Sequence, residues 1–178
     1  GQYLAFSKET KSNYPPWLKK NVSGKVLKQY KNIRITEQNI YYPVAGVNWE
    51  NAYKFCEWLS KKTGKKYQLP TEAEWEKAAK AGKNYKYAGS DNSDKVAWYC
   101  DNSDCKVHPV GQKKPNRLGL FDMCGNINEW CSDFYGEYSL KSQYNNPRGP
   151  SSGTERVFRG GDWFSLEDSV RCSHRNSS

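Results

Sequence analysis

The chain has 178 residues, of which 36% are hydrophobic and 15% aromatic, and this composition suits one compact domain over residues 1–178 rather than a disordered tail. No stretch approaches the roughly 18 consecutive apolar residues that a membrane-spanning helix needs. The net charge of +9 arises in residues 1–70, which carry 13 basic and 4 acidic side chains. Lysine pairs such as Lys61-Lys62 are typical of a solvated helix end, so we expect no nucleic-acid partner.

The first predicted elements are a short helix and an irregular segment. Two aromatic side chains share one face of a predicted helix over residues 2–10, which cannot extend past Pro15-Pro16. Residues 11–42 lack periodicity and predict a long surface excursion, with one short extended piece at Ile33–Ile35.

Two stronger helices follow. Asn48 predicts the N-cap of a buried amphipathic helix that stops at Gly64. Thr71 and Glu74 form a capping box that begins a second helix, which runs to about Gly82. Beyond it, Gly, Asn, Asp and Pro recur around short aromatic runs. That pattern predicts short strands, long loops and a core built from Trp and Tyr.

The cysteines leave two possibilities open. There are six, too few for a disulfide scaffold in a chain of this length, and none forms a CxxC pair of the kind that binds zinc. Cys100 and Cys105 are separated by a polar loop and could close a small disulfide in an oxidising compartment. Alternatively all six remain thiols, some of them acting as small buried hydrophobes.

Four segments in chain order carry a resemblance to a known family. They are residues 43–52 (PVAGVNWENA), 69–76 (LPTEAEWE), 116–130 (NRLGLFDMCGNINEW) and 156–163 (RVFRGGDW). Their order and spacing resemble the formylglycine-generating-enzyme (sulfatase-modifying-factor) family over about residues 43–175. The resemblance implies an α+β, C-type lectin-like fold with two main helices, short strands and much irregular loop. The family's first and last strands have no counterpart here, so we expect that the sequence omits them.

The resemblance also implies that catalytic groups are missing. Enzymes of this family bind copper through two cysteines after the RGG motif, and the corresponding residues here are Ser165 and Val170. A branch that binds iron uses three histidines, whereas this chain has only His108 and His174. We therefore predict that the chain is not an enzyme and needs no cofactor. A divergent formylglycine-generating-type oxidoreductase is the alternative.

A structural calcium ion is a second implication of the resemblance. The family's calcium ligands correspond here to the side chains of Asp122 and Glu129 and the carbonyl groups of Gly125 and Ile127. An all-oxygen set of this kind suits calcium. The alternative is that Asp122 caps the turn and that an arginine or backbone N–H groups satisfy Glu129.

The C-terminal segment most resembles variable proteins of diversity-generating retroelements, of the treponemal type. In these proteins a segment beginning near RGG-x-W is rewritten at adenines of Asn-type codons, which cannot produce Lys, Gln, Glu, Met or Trp. Glu167 falls outside the permitted set and would have to be fixed, as would Arg159, Trp163, Arg171 and Arg175, which hold the scaffold. All 21 lysines lie in residues 1–141 and none in residues 142–178. The predicted variable, ligand-binding residues are Phe164, Ser165, Leu166, Asp168, Ser169, Val170, Ser173, His174, Asn176 and Ser177.

These resemblances imply a non-catalytic receptor or adhesin with a macromolecular ligand, protein being the first expectation. A calcium-dependent carbohydrate-binding lectin is an alternative, although no EPN or QPD triplet is present. We expect a bacterial cell-surface or periplasmic location, with anchoring by a segment outside this sequence, as in a lipoprotein.

Overall fold

The computed structural model describes residues 2–11, 40–138 and 145–178. The chain divides into two compact units, Gly1–Leu69 and Pro70–Ser178. The single domain over residues 1–178 therefore stays a prediction. The extended piece predicted at Ile33–Ile35 lies outside the described residues.

In the described part of the first unit there are two helices, α1 (Gln2–Thr10) and α2 (Trp49–Thr63). The side-chain oxygen of Asn48 accepts a hydrogen bond from the backbone N–H of Asn51 at 2.9 Å, which confirms the predicted N-cap. Gly64 ends α2 with a left-handed φ of 71°, as predicted.

Aromatic rings join the two helices. The ring of Phe6 in α1 packs 5.7 Å from the rings of both Phe55 and Trp58 in α2. No residue of α2 is fully buried, so the predicted burial of this helix was too high. One face of α2 packs on aromatic rings, while its lysines and glutamates lie in solvent.

The second unit begins with helix α3 (Glu72–Lys80). The Thr71 hydroxyl accepts from the N–H of Glu74 at 3.2 Å, and the Glu74 carboxylate accepts from the N–H of Thr71 at 2.8 Å. This geometry confirms the capping box. The helix ends slightly earlier than predicted, because Ala81 already adopts a left-handed φ of 49°.

Five short strands lie in the described part of this unit and confirm the predicted α+β class. Two of them, β1 (Ala97–Trp98) and β2 (Cys124–Gly125), pair in parallel. The other three form an antiparallel sheet in the order β3-β4-β5, namely β3 (Glu129–Phe134), β4 (Arg156–Arg159) and β5 (Arg175–Ser177). None of the helices in the described residues has the length and apolar composition that a membrane span requires.

The turn between β2 and β3 leads into the first strand of the three-stranded sheet. Gly125 and Asn126 have left-handed φ angles of 72° and 63°. A Cβ atom on Gly125 would lie 2.1 Å from the carbonyl oxygen of Trp98, so only glycine fits. The buried side chain of Asn126 accepts from the N–H of His108 at 3.0 Å and donates to its carbonyl at 3.1 Å. The predicted tight turn is therefore held by one fully satisfied amide.

An ion-pair network fastens α3 to the sheet. The fully buried guanidinium of Arg159 in β4 donates to Glu72 at 2.7 Å and to Glu76 at 2.6 Å. Arg175 in β5 donates to the other oxygen of Glu72 at 2.6 Å. Glu72 thus joins two neighbouring strands to one helix, which fits the scaffold role predicted for both arginines.

Candidate ligand-binding site

An open pocket of about 340 Å³ lies where the residues after β4 face β5. The two glycines after β4 have left-handed φ angles, and a Cβ atom on Gly161 would lie 2.7 Å from a methyl group of Val170. Gly161 therefore packs directly against the buried Val170, which leaves no room for a side chain at this position. The pocket is lined by Asn128, Phe158, Arg159, Gly160, Gly161, Asp162, Phe164, Ser165, Ser169, His174 and Asn176.

The structure brings half of the predicted variable residues together in this pocket. Those that line it are Phe164, Ser165, Ser169, His174 and Asn176. Phe164 and Leu166 are the most exposed large apolar side chains of the segment, each 69% accessible.

Four other predicted residues lie elsewhere. Val170 is completely buried in the hydrophobic core, so its assignment to a binding face was wrong. Its position follows from the 3₁₀ helix Glu167–Val170, whose last residue turns inward. Ser173 lines a separate groove beside α3. Asp168 is exposed and 3.3 Å from Lys86, and the Ser177 hydroxyl donates to Glu155 at 2.8 Å.

Asp162 organises the pocket, although it was not among the site residues predicted from the sequence. One of its carboxylate oxygens accepts from the N–H of Phe164 at 3.0 Å and from the hydroxyl of Ser165 at 2.8 Å. The other accepts from the side-chain amide of Asn128 at 2.9 Å. An Asp directly after two glycines is a turn signal that would have identified it.

Glu167 anchors the exposed segment to the rest of the unit. Its carboxylate accepts from the hydroxyl groups of Tyr87 and Ser93, each at 2.8 Å. These bonds span 80 and 74 residues of sequence. Glu167, which adenine replacement in Asn-type codons cannot produce, is thus a residue whose side chain bonds to the scaffold.

His174 is the imidazole among the titratable residues that line the pocket, which also include Asp162 and Arg159. Partial burial, together with the charges of Arg171 and Arg159, lowers the pKa of its imidazole. Its ring is therefore neutral at pH 7 and available as both donor and acceptor. His108, by contrast, lies outside the pocket, stacked at 3.7 Å on Trp98 with its Nε2 atom 3.0 Å from the Ser103 carbonyl oxygen.

The four predicted calcium ligands lie around the turn between β2 and β3. Burial raises the pKa of Glu129 to about 7, and the charge of Asp122 adds to the effect. Burial also raises the pKa of Asp122, against the hydrogen bond that its carboxylate accepts from Gly111 at 2.7 Å. Ile127 donates its N–H to the Gly125 carbonyl at 2.8 Å.

This donor set fits a hard cation. Two partly buried carboxylates that repel each other would be stabilised as anions by a divalent ion. Glu129 also has a protein partner, the Trp75 indole, which donates to its carboxylate at 2.6 Å and which the alternative did not name. The described residues contain no group of three His, Cys, Asp or Glu side chains arranged for a metal. Calcium binding therefore stays a prediction.

A family profile described as "Sulfatase-modifying factor enzyme 1-like domain" matches residues 1–178. The chain belongs to this family. One member, the serine/threonine-protein kinase pkn1 of Chlamydia pneumoniae, is 41% identical over 139 residues, which cover 76% of this chain and 21% of the kinase. Another, the formylglycine-generating enzyme of Streptomyces coelicolor, is 34% identical over 140 residues, which cover 69% of this chain and 42% of the enzyme.

Among solved structures, Treponema denticola variable protein 1 is similar to the chain with a TM-score of 0.71 and 32% identity. The superposition covers 78% of this chain and 66% of that protein. The predicted family, its C-type lectin-like fold and the likeness to a treponemal variable protein are confirmed. The chain spans less than half the length of both curated relatives.

The two positions that correspond to the copper-binding cysteines of the family's enzymes have different surroundings in this chain. Ser165 lines the pocket with its hydroxyl bonded to Asp162, whereas Val170 packs in the core. No cysteine is among the described residues that line the pocket.

Proposed function

We propose that this chain is a non-catalytic ligand-binding protein whose C-terminal residues, 164–178, form a variable binding face. The observation that supports it most is the convergence of five predicted variable residues on one open pocket whose walls contain no thiol. The exposed side chains of Phe164 and Leu166 extend this surface beyond the pocket.

The chemistry of the face suits a protein ligand. Phe164 and Leu166 offer apolar area for burial, while Asn176, Ser169 and neutral His174 offer short polar groups that can donate or accept hydrogen bonds. The carboxylate of Asp162 is already occupied by three donors from its own unit. A partner that inserts an uncharged side chain into the pocket therefore need not supply a further hydrogen-bond donor to this carboxylate.

The divergent-oxidoreductase alternative rests on the 34% identity to the Streptomyces coelicolor enzyme. It is tested by loading the chain with Cu(I) and incubating it with a cysteine-containing sulfatase peptide in air. We expect no conversion of the peptide cysteine to formylglycine, as followed by peptide mass spectrometry. The Streptomyces coelicolor enzyme serves as the positive control, and turnover by the unmodified chain would overturn the proposal.

The lectin alternative has its own test. A glycan array probed with and without calcium separates it from protein recognition, because a lectin would bind sugars only with the ion present. We expect no glycan signal in either condition. Calcium-dependent binding that Phe164→Ala and His174→Ala abolish would replace the protein ligand with a carbohydrate.

An extracytoplasmic location is part of the proposal. Brief protease treatment of intact bacteria that make the full-length protein should release fragments of this domain, while a cytoplasmic protein in the same cells stays whole. Complete protection in intact cells, with cleavage after lysis, would contradict the proposed location.

A further inference from the structure

The loop that follows β1 brings two cysteines together. The sulfur atoms of Cys100 and Cys105 lie 3.5 Å apart, within contact distance and without a bond between them. The chain doubles back because Asp104 and Cys105 adopt left-handed φ angles of 53° and 50°. Two successive non-glycine residues in this region are unfavourable, so the surrounding structure must impose the conformation.

Hydrogen bonds fix this loop in place. The side chain of Asn102 accepts from the N–H of Tyr99 at 2.9 Å and donates to Asp94 at 3.0 Å and to the Ala97 carbonyl at 3.1 Å. Ser103, which is fully buried, donates its N–H to the Tyr99 carbonyl at 2.9 Å. The two sulfur atoms are therefore held near each other before any bond forms.

The pair is also open to solvent. Cys105 is exposed and Cys100 is half-buried, whereas Cys124, Cys131 and Cys172 are buried in the core. A soluble disulfide can reach Cys105 without unfolding of the domain.

We propose that Cys100 and Cys105 are a redox modification site that closes as a disulfide within the loop. The oxidant is a disulfide of the glutathione or thiol-oxidoreductase class. The Cys105 thiolate attacks it, forms a mixed disulfide and releases one thiol. The Cys100 thiolate then attacks the Cys105 sulfur and releases the second thiol, so that two electrons and two protons leave the pair.

The loop supports the start of the binding face. Cys100 donates its backbone N–H to the carbonyl of Ser165 at 3.0 Å, and the Ser103 hydroxyl donates to the carbonyl of Trp163 at 2.7 Å. Closing the disulfide therefore stiffens the support beneath the first residues of the face. The disulfide site does not depend on the proposed function. Only the effect of the disulfide on ligand binding rests on that function.

The first experiment maps the disulfide. The folded chain is incubated with oxidised glutathione at about pH 8.5, where thiols begin to ionise, then blocked with N-ethylmaleimide and digested with trypsin. Cleavage after Lys95 and Lys106 leaves both cysteines in the peptide 96–106. We expect this peptide to be unalkylated and lighter by two hydrogen atoms. Recovery with two maleimide groups, or with glutathione still attached to Cys105, would overturn the site.

The second experiment tests the coupling to the face by hydrogen exchange of residues 162–170. We expect slower exchange in the oxidised chain than in the reduced chain, and no redox effect in the Cys105→Ser variant. Cys56→Ser is the matched control, since that thiol lies in the other unit and should leave the redox effect intact. Disulfide formation without slower exchange would refute the coupling. Neither readout requires a ligand, so both outcomes are independent of the proposed function.

Discussion

At the scale of single residues, Gly125 is the glycine position with the least space for an added Cβ atom. Replacement by Ala would place a Cβ atom 2.1 Å from the Trp98 carbonyl oxygen. We expect Gly125→Ala to lower the free energy of unfolding by at least about 3 kcal/mol, measured by urea denaturation. Gly119→Ala is the matched control, because its φ of 77° is similar but no atom lies within 4 Å, and it should cost only about 1 kcal/mol. Equal losses would contradict the packing argument.

Glu167 permits a second test at this scale. Glu167→Ala removes the acceptor for the hydroxyl groups of Tyr87 and Ser93 and should lower the free energy of unfolding clearly more than a change at the neighbouring Asp168 does. Asp168→Ala, next in sequence and 77% exposed, should change it by less than about 0.5 kcal/mol. Thermal or urea unfolding measures both, and similar values would remove the anchoring role of Glu167.

Local chemistry explains which residues could be predicted from the sequence. The capping box at Thr71 depends on neighbours a few residues away, and Gly125-Asn126 is a local turn signal, so the sequence predicted both features correctly. The contact with the Trp98 carbonyl oxygen, which restricts position 125 to glycine, is not local. The burial of Val170 depends on a 3₁₀ turn in an irregular segment, where no periodicity distinguishes inside from outside. The role of Asp162 depends on Asn128, which lies 34 residues away.

At the scale of elements, Glu72 holds α3 to two strands. Glu72→Gln would leave the fully buried Arg159 and the mostly buried Arg175 with less compensating charge. We expect a loss of about 3 kcal/mol in the free energy of unfolding. Glu50→Gln breaks an exposed ion pair with Lys54 in α2 and should cost less than about 0.5 kcal/mol. A loss at Glu72 no larger than that at Glu50 would show that the network contributes little.

The turn between β2 and β3 permits a test of the predicted calcium ion. Calcium should raise the melting temperature of the unmodified chain and leave that of Glu129→Gln unchanged, because the variant lacks one anionic ligand. Asp104→Asn removes an exposed carboxylate of the Cys100–Cys105 loop and should retain the response. Differential scanning calorimetry with calcium and with a chelator measures the shift. No shift in the unmodified chain would favour the alternative, in which Trp75 and Gly111 satisfy the two carboxylates.

The sequence predicted the helices and the shortage of regular strands, but it did not predict strand pairing. Helices α2 and α3 have local caps and a repeating apolar pattern. The strands contain between two and six residues and pair across long separations, as β4 does with both β3 and β5. No local pattern specifies such a register.

At the scale of the whole molecule, the segment after β4 combines constant supports with exposed side chains. Glu167, Arg159 and Arg175 bond to the scaffold, and Val170 fills the core. Between them, Phe164, Leu166 and His174 project into solvent or into the pocket. We therefore expect this segment to contain positions that can change freely and positions that cannot.

The most direct test of a variable binding face is to sequence the coding region across related strains, together with its genomic surroundings. We expect a reverse transcriptase gene and a near-identical template repeat nearby. Differences should be limited to adenine positions of the template and concentrated at codons 164, 166, 169, 174 and 176, with codons 159, 167 and 175 constant and codon 170 apolar. The absence of a template repeat, or substitutions spread evenly over scaffold and face codons, would contradict the central claim.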